Sequence, residues 1–138
     1  MNRATLQALS RLRAKESRVL LKNGCYAGSY YLAGYAVECA LKACIAKQTL
    51  RYEFPDKRRA ESCWKHDLEG LLKFAGLSAD LATSIKTSPA LEVNWTVVKD
   101  WSVEDRYDAA IEEIEARDLF AACNTSKTGV LWWIRQRW

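Results

Sequence analysis

The segment SYYLAGYAVECALKACIA, residues 29–46, restricts the fold more than any other part of the chain. It holds one glycine and no proline, and its Ala, Leu, Tyr, Val and Cys residues surround a helical wheel almost completely. A helix that is apolar on nearly every side has to lie inside the protein, covered by other elements. Yet Glu38 and Lys42 stand in its middle, one turn apart. The run is shorter than a bilayer span and these charges interrupt it, so no membrane segment is expected.

The elements that cover this helix are expected to be helices too. Two prolines and six glycines in 138 residues are too few for the many turns of a β architecture. A chain of that length fits one domain, taken as residues 1–138, with a real core. Residues 3–22 read as a first amphipathic helix with Leu6, Leu9, Leu12 and Leu20 broadly on its inner side, stopped by Asn23-Gly24. The buried helix follows over 26–47. Residues 48–64 read as irregular, since Phe54-Pro55 disfavours helix.

A third helix begins near His66, buries Leu68, Leu71 and Leu72, and stops at Gly76 with Leu77 folding back. Ser78 is placed to cap a fourth helix carrying Leu81 and Ile85, which Pro89 closes. LEVNWTVVKDW is ambiguous between strand and coil, and is read as a packed connector anchored by Trp95 and Trp101. A long helix over 108–124 turns Ile111, Ile114 and Leu119 inward, and TGVLWWIRQRW ends the chain as a short helix. Its Trp132, Trp133 and Trp138 read as terminal packing, or as a partner surface if exposed. Short links between neighbouring helices predict an all-α, antiparallel up-and-down bundle of about five helices.

The basic start of the chain lacks the continuous apolar core of a signal peptide. Five cysteines form an odd set without a C-x-x-C pair, which fits buried thiols in a reducing cytoplasm rather than disulfides or zinc. A single histidine excludes a multi-histidine metal site, and no glycine-rich phosphate loop is present. No metal and no cofactor are expected. Charge is uneven: Arg3, Arg11, Arg13, Lys15, Arg18 and Lys22 make the first helix basic, residues 51–65 are basic again, and residues 100–118 are acidic. Basic surface recruits phosphate-bearing partners, although solvated helix faces have the same composition.

On the buried helix, Ser29, Ala33, Ala36, Ala40 and Ala43 fall on one line, and Tyr31, Tyr35, Glu38 and Lys42 on another. Glu38 and Lys42 therefore share a seam with two phenols. At a water-facing edge such a pair contributes only ~0.2–0.5 kcal/mol. In a semi-buried cleft the carboxylate instead needs partners, and the available ones are His66 and Arg106 of the Arg106-Tyr107 pair.

AGSYYLAGYAVECALKACIA, then HDLEGLLKFAGL, then WSVEDRYDAAI, in that order over most of the chain, resembles the HEPN domain, a helical nucleotide-binding domain of higher eukaryotes and prokaryotes. The resemblance implies a helical bundle that commonly forms homodimers, and either nucleotide binding or metal-independent RNA cleavage in toxins and defence proteins. It also implies a genetic partner, a small nucleotidyltransferase acting as antitoxin. HEPN nucleases carry an Arg, four to six residues, then a His, and RAESCWKH meets that spacing with Arg59 and His66, although Ala rather than the frequent Asn follows the Arg. Histidine takes and gives protons near neutral pH, and arginine donates to crowded phosphate oxygens.

Two roles follow for the same residues. In an endoribonuclease, His66 is the acid–base, Arg59 or Arg106 the phosphate clamp, and Glu38 the orienting carboxylate. In a non-catalytic nucleotide-binding or dimerisation module, Glu38, Lys42, Arg106 and Tyr107 organise a cleft or a dimer seam, and His66 is a helix-entry residue donating a ring hydrogen to Glu38 or to a backbone carbonyl.

Overall fold

Two long helices, α1 (Arg3–Lys22) and α2 (Tyr26–Lys47), pack along one another as an antiparallel hairpin. In the computed structural model residues 2–48, 61 and 65–138 are described. The Asn2 side chain caps α1 by accepting the Thr5 amide at 2.8 Å, and the helix ends where Gly24 takes a left-handed φ of 75°. Cys25 N then donates back to Leu20 O at 2.9 Å, which closes the turn into α2. Small side chains and serines let the two helices approach closely. Ser10 Oγ donates to Ala36 O and Ser17 Oγ to Ser29 O, each at 2.8 Å, and Ser29 Oγ donates back to Ser17 O at 2.9 Å. Pairing Ser17 with Ser29, and Ser10 with Ala36 seven residues away on each helix, is an antiparallel register.

The inner face of α1 is consequently Leu6, Ser10, Ala14, Ser17 and Leu21. This corrects the leucine stripe expected from the sequence: Leu9 and Leu20 are half-buried and Leu12 is exposed. Close approach of two backbones selects small residues for the contact line, and the larger leucines are displaced to its flanks.

Around this hairpin stand α3 (Leu68–Phe74), α4 (Ser78–Thr87), α5 (Pro89–Lys99), a 3-10 helix (Val103–Tyr107), α6 (Glu113–Asn124) and α7 (Val130–Arg135). The described residues are all-helical, with seven α-helices against the five or so expected. Leu68, Leu71 and Leu72 are buried on α3 as predicted, and Gly76 stops it at a φ of 72°, with Leu77 N donating to Leu72 O at 3.1 Å.

The main departure is LEVNWTVVKDW, which is helix α5 and not a connector. Ser88 accepts the Leu91 amide and Pro89 occupies the first turn, so the proline starts a helix. Burial of Leu91, Trp95 and Val98 at helical spacing outweighs the β-branched residues, as tertiary packing commonly does. Ser78 is the first residue of α4 and makes no capping bond. The helix expected over 108–124 begins only at Glu113; Ile114 is exposed and Ile111 half-buried, while Ala116, Leu119, Ala122 and Cys123 face inward.

Trp133 and Trp138 pack on the body and Trp132 is exposed. Trp133 Nε1 donates to Ser84 Oγ at 2.9 Å, which ties α7 to α4. Among the described residues no helix is long and apolar enough to cross a membrane.

Candidate functional site

Glu38 sits in the middle of α2 at 1% exposure, so its carboxyl group is inside the protein. One oxygen, Oε1, accepts from Lys42 Nζ and from His66 Nδ1, both at 2.8 Å. The Lys42 bond follows from helix geometry, since residues four apart lie one above the other. The His66 bond is tertiary: Asp67 caps α3 by accepting the Gly70 amide at 3.1 Å, and this helix start holds His66 against α2. The Lys42 side chain is 14% exposed, and the His66 side chain 47%. Burial thus places the carboxylate beneath an imidazole that remains open to solvent.

Nδ1 is engaged and Nε2 has no hydrogen-bond partner among the described residues. A carboxylate on one ring nitrogen sets the tautomer and orientation of the ring, and leaves the other nitrogen for chemistry. The ring lines a cleft of about 350 Å³ together with Asp67, Lys99, Asp100, Trp101, Ser102, Val103 and Glu104.

Trp101 forms the inner wall and lies against α2 at Gly34, one turn before Glu38. A Cβ at that position would overlap the indole, so only glycine lets the ring rest on the helix. Tyr31 stacks at an angle between Tyr35 and Trp101, with ring centroids 6.0 and 5.9 Å apart. From α1 the Arg13 guanidinium lies 5.9 Å from the Tyr35 ring centre. Burial, then Cys39 and Glu38, push the Tyr35 phenol above its ordinary pKa. Burial also raises the Cys39 thiol to about 11, so it is no nucleophile near neutrality.

Two buried polar atoms on this face lack partners among the described residues: Glu38 Oε2 and Trp101 Nε1–H. One is an acceptor, the other a donor. Each such buried group costs about 1–3 kcal/mol.

The seam predicted from Tyr31, Tyr35, Glu38 and Lys42 is therefore real, and His66 is the residue that joins it. Arg106 does not. It is fully exposed on the 3-10 helix, with its guanidinium 4.7 Å from the ring centre of Tyr107, which is itself 71% exposed. Arg59 lies outside the described residues, as does Cys63. Trp101 was legible only as a packing anchor and Gly34 only as the one glycine of segment 29–46; a glycine kept inside a helix, at a cost of ~1 kcal/mol, was the available signal. The described residues contain no group of three or more His, Cys, Asp and Glu able to hold a metal ion.

A family model, that of the HEPN domain, matches residues 5–127. Neither the curated proteins nor the solved structures give a match.

Proposed function

The chain belongs to the HEPN family, and on that premise we propose that it acts on RNA as a metal-independent endoribonuclease of a toxin–antitoxin or defence system. His66 is the acid–base group and Glu38 its positioning residue. The observation that carries this reading is the bond from the buried Glu38 carboxylate to His66 Nδ1 beneath a half-open ring. The imidazole takes the proton of a ribose 2′-hydroxyl as that oxygen attacks the adjacent phosphorus. An imidazolium then protonates the departing 5′-oxygen. In a homodimer whose two copies line one cleft, one His66 performs each transfer. Arg59 supplies the donors to the phosphate oxygens as charge builds there. The cognate partner is a nucleotidyltransferase antitoxin.

The test is cleavage of mixed RNA in a chelator, with wild type beside His66→Ala. General acid–base catalysis contributes about 10²–10⁴-fold, and the variant loses that factor. Glu38→Gln lowers kcat and leaves KM unchanged, because it alters the ring's setting and not its contact with RNA. Equal cleavage by wild type and His66→Ala, or none by either, removes His66 from catalysis.

A second reading, a non-catalytic nucleotide-binding or dimerisation module, is favoured by the exposed Arg106–Tyr107 pair. An exposed phenol offers a base a face to stack on, worth about 1–3 kcal/mol. Titration calorimetry with ATP, GTP and short oligonucleotides, on wild type and Tyr107→Ala, separates the two readings.

A further inference from the structure

Outside the His66 cleft, the most unusual feature is a concentration of guanidinium groups where α1 meets α7. Arg11, Lys15, Arg18 and Lys22 recur at intervals of four, three and four residues, so they form one stripe along α1. All four are exposed. The only acidic residue of α1, Glu16, is taken by Arg13 at 2.6 Å. None of the stripe cations has a carboxylate partner among the described residues.

Helix α7 adds to this charge instead of neutralising it. Trp138 folds back so that Arg11 lies 4.8 Å and Arg135 5.8 Å from its ring centre, and Arg3 donates to its backbone carbonyl. Partial burial, with Arg11 and Arg18 nearby, lowers the pKa of the Arg135 guanidinium. A face that needed only solubility would disperse these groups, because gathering like charges without counter-charges opposes folding. Leu12 and Val19, also exposed, run beside the stripe.

We propose that this α1–α7 face is a binding surface for the phosphodiester backbone of single-stranded RNA, separate from the His66 cleft. The surface rests on the RNA-directed reading above and adds where the strand is held. From Arg11 to Lys22 the stripe runs about 16 Å along the helix. With Arg135 beside it, the stripe offers five cations, Arg11, Lys15, Arg18, Lys22 and Arg135, to the successive phosphates of a strand. The Arg13 position, about 200° around α1 from Arg11, faces the Tyr35 side of the seam. The stripe therefore holds the strand away from the reacting bond, as a tether and not as a catalytic contact.

The experiment measures anisotropy of a short, labelled, unstructured RNA across a salt series, in a His66→Ala background so that cleavage does not intrude. Replacing Arg11, Lys15 and Arg18 by Gln flattens the plot of log affinity against log salt by about 2, at ~0.7 for each phosphate no longer neutralised. A control with Lys73, Lys86 and Lys127 changed to Gln removes the same net charge elsewhere and leaves the slope unaltered. Equal losses in the two triple variants overturn the proposal. So does displacement of the RNA by polyglutamate charge for charge, which would make the face a receptor for acidic protein. Stripe-dependent binding by a protein that never cleaves RNA would end the nuclease reading and leave this surface standing. Cleavage by the stripe variant with unchanged KM would do the reverse.

Discussion

Helix α2 buries polar groups on two of its faces, and it treats them differently. Against α1, Ser29 and Ser17 exchange hydrogen bonds through both hydroxyls, and Ser10 donates to Ala36 O, so every hydroxyl there is satisfied inside the protein. On the seam, Glu38 receives two donors on one oxygen and none on the other, and Trp101 keeps an indole N–H without an acceptor among the described residues. The serine face is complete and resembles a structural joint. The seam is open on one side to solvent through His66, and it retains unmet valences of the kind expected where a protein meets a ligand. Composition does not separate these two cases, since both are short polar patterns on an apolar helix. Satisfaction does.

The largest effect expected from breaking this contrast is at Glu38. Glu38→Ala leaves Lys42 without its partner in a nearly buried setting and releases His66, at a cost of about 3 kcal/mol, measurable by urea denaturation. If stability is unchanged, the carboxylate is not held as described. Gly34→Ala is next. The new methyl displaces the Trp101 indole and costs about 2 kcal/mol of overpacking, against a gain of ~1 kcal/mol in helix propensity. Tryptophan emission shifting to the red, with a widened cleft, is the accompanying signature.

Ser17→Ala gives a smaller loss, about 1 kcal/mol for one internal hydrogen bond, and leaves any RNA cleavage untouched. Combining it with Ser29→Ala gives losses that add, because each hydroxyl donates to the other residue's backbone carbonyl, and coupling of Ser17 to Glu38 is absent. Coupling between the two faces would dissolve the contrast. The smallest effect is on pH dependence. The Tyr35 pKa is raised by folding, so its contribution is complete below the ordinary phenol range and is lost as pH rises through and above 10. Ultraviolet titration shows Tyr35 ionising later than an ordinary phenol, and Glu38→Gln reduces that delay, because the Glu38 charge is one of its causes.

The paired spacing of Glu38 and Lys42, and the leucines that bury α3, were readable because helical periodicity is local: residues three and four apart share a face wherever the helix lies. The same logic failed on α1, where leucine size suggested the wrong inner stripe, and on Ile114. Which face turns inward depends on how near the neighbouring helix comes, and that distance is a property of both helices. LEVNWTVVKDW failed for a related reason, since its local preference was weak and burial of Trp95 and Val98 decided it. At the site, His66 was identified because it is the only histidine in the chain. Its bond to Glu38 was one of several combinations the sequence allowed, and Arg106 was another. The 3-10 turn carries Arg106 into solvent, which excludes it.

The chain by itself therefore determined that the protein is helical, that α2 lies at its centre, and that a carboxylate and an ammonium stand one turn apart on it. These depend on periodicity, on scarcity of glycine and proline, and on the area of apolar side chain to be covered. Only the tertiary structure decided that His66 completes the pair, that Trp101 rests on Gly34, and that Arg11 and Arg135 gather around one indole. Those arrangements join residues far apart in the chain, and their geometry is set by the angles and distances at which whole helices pack.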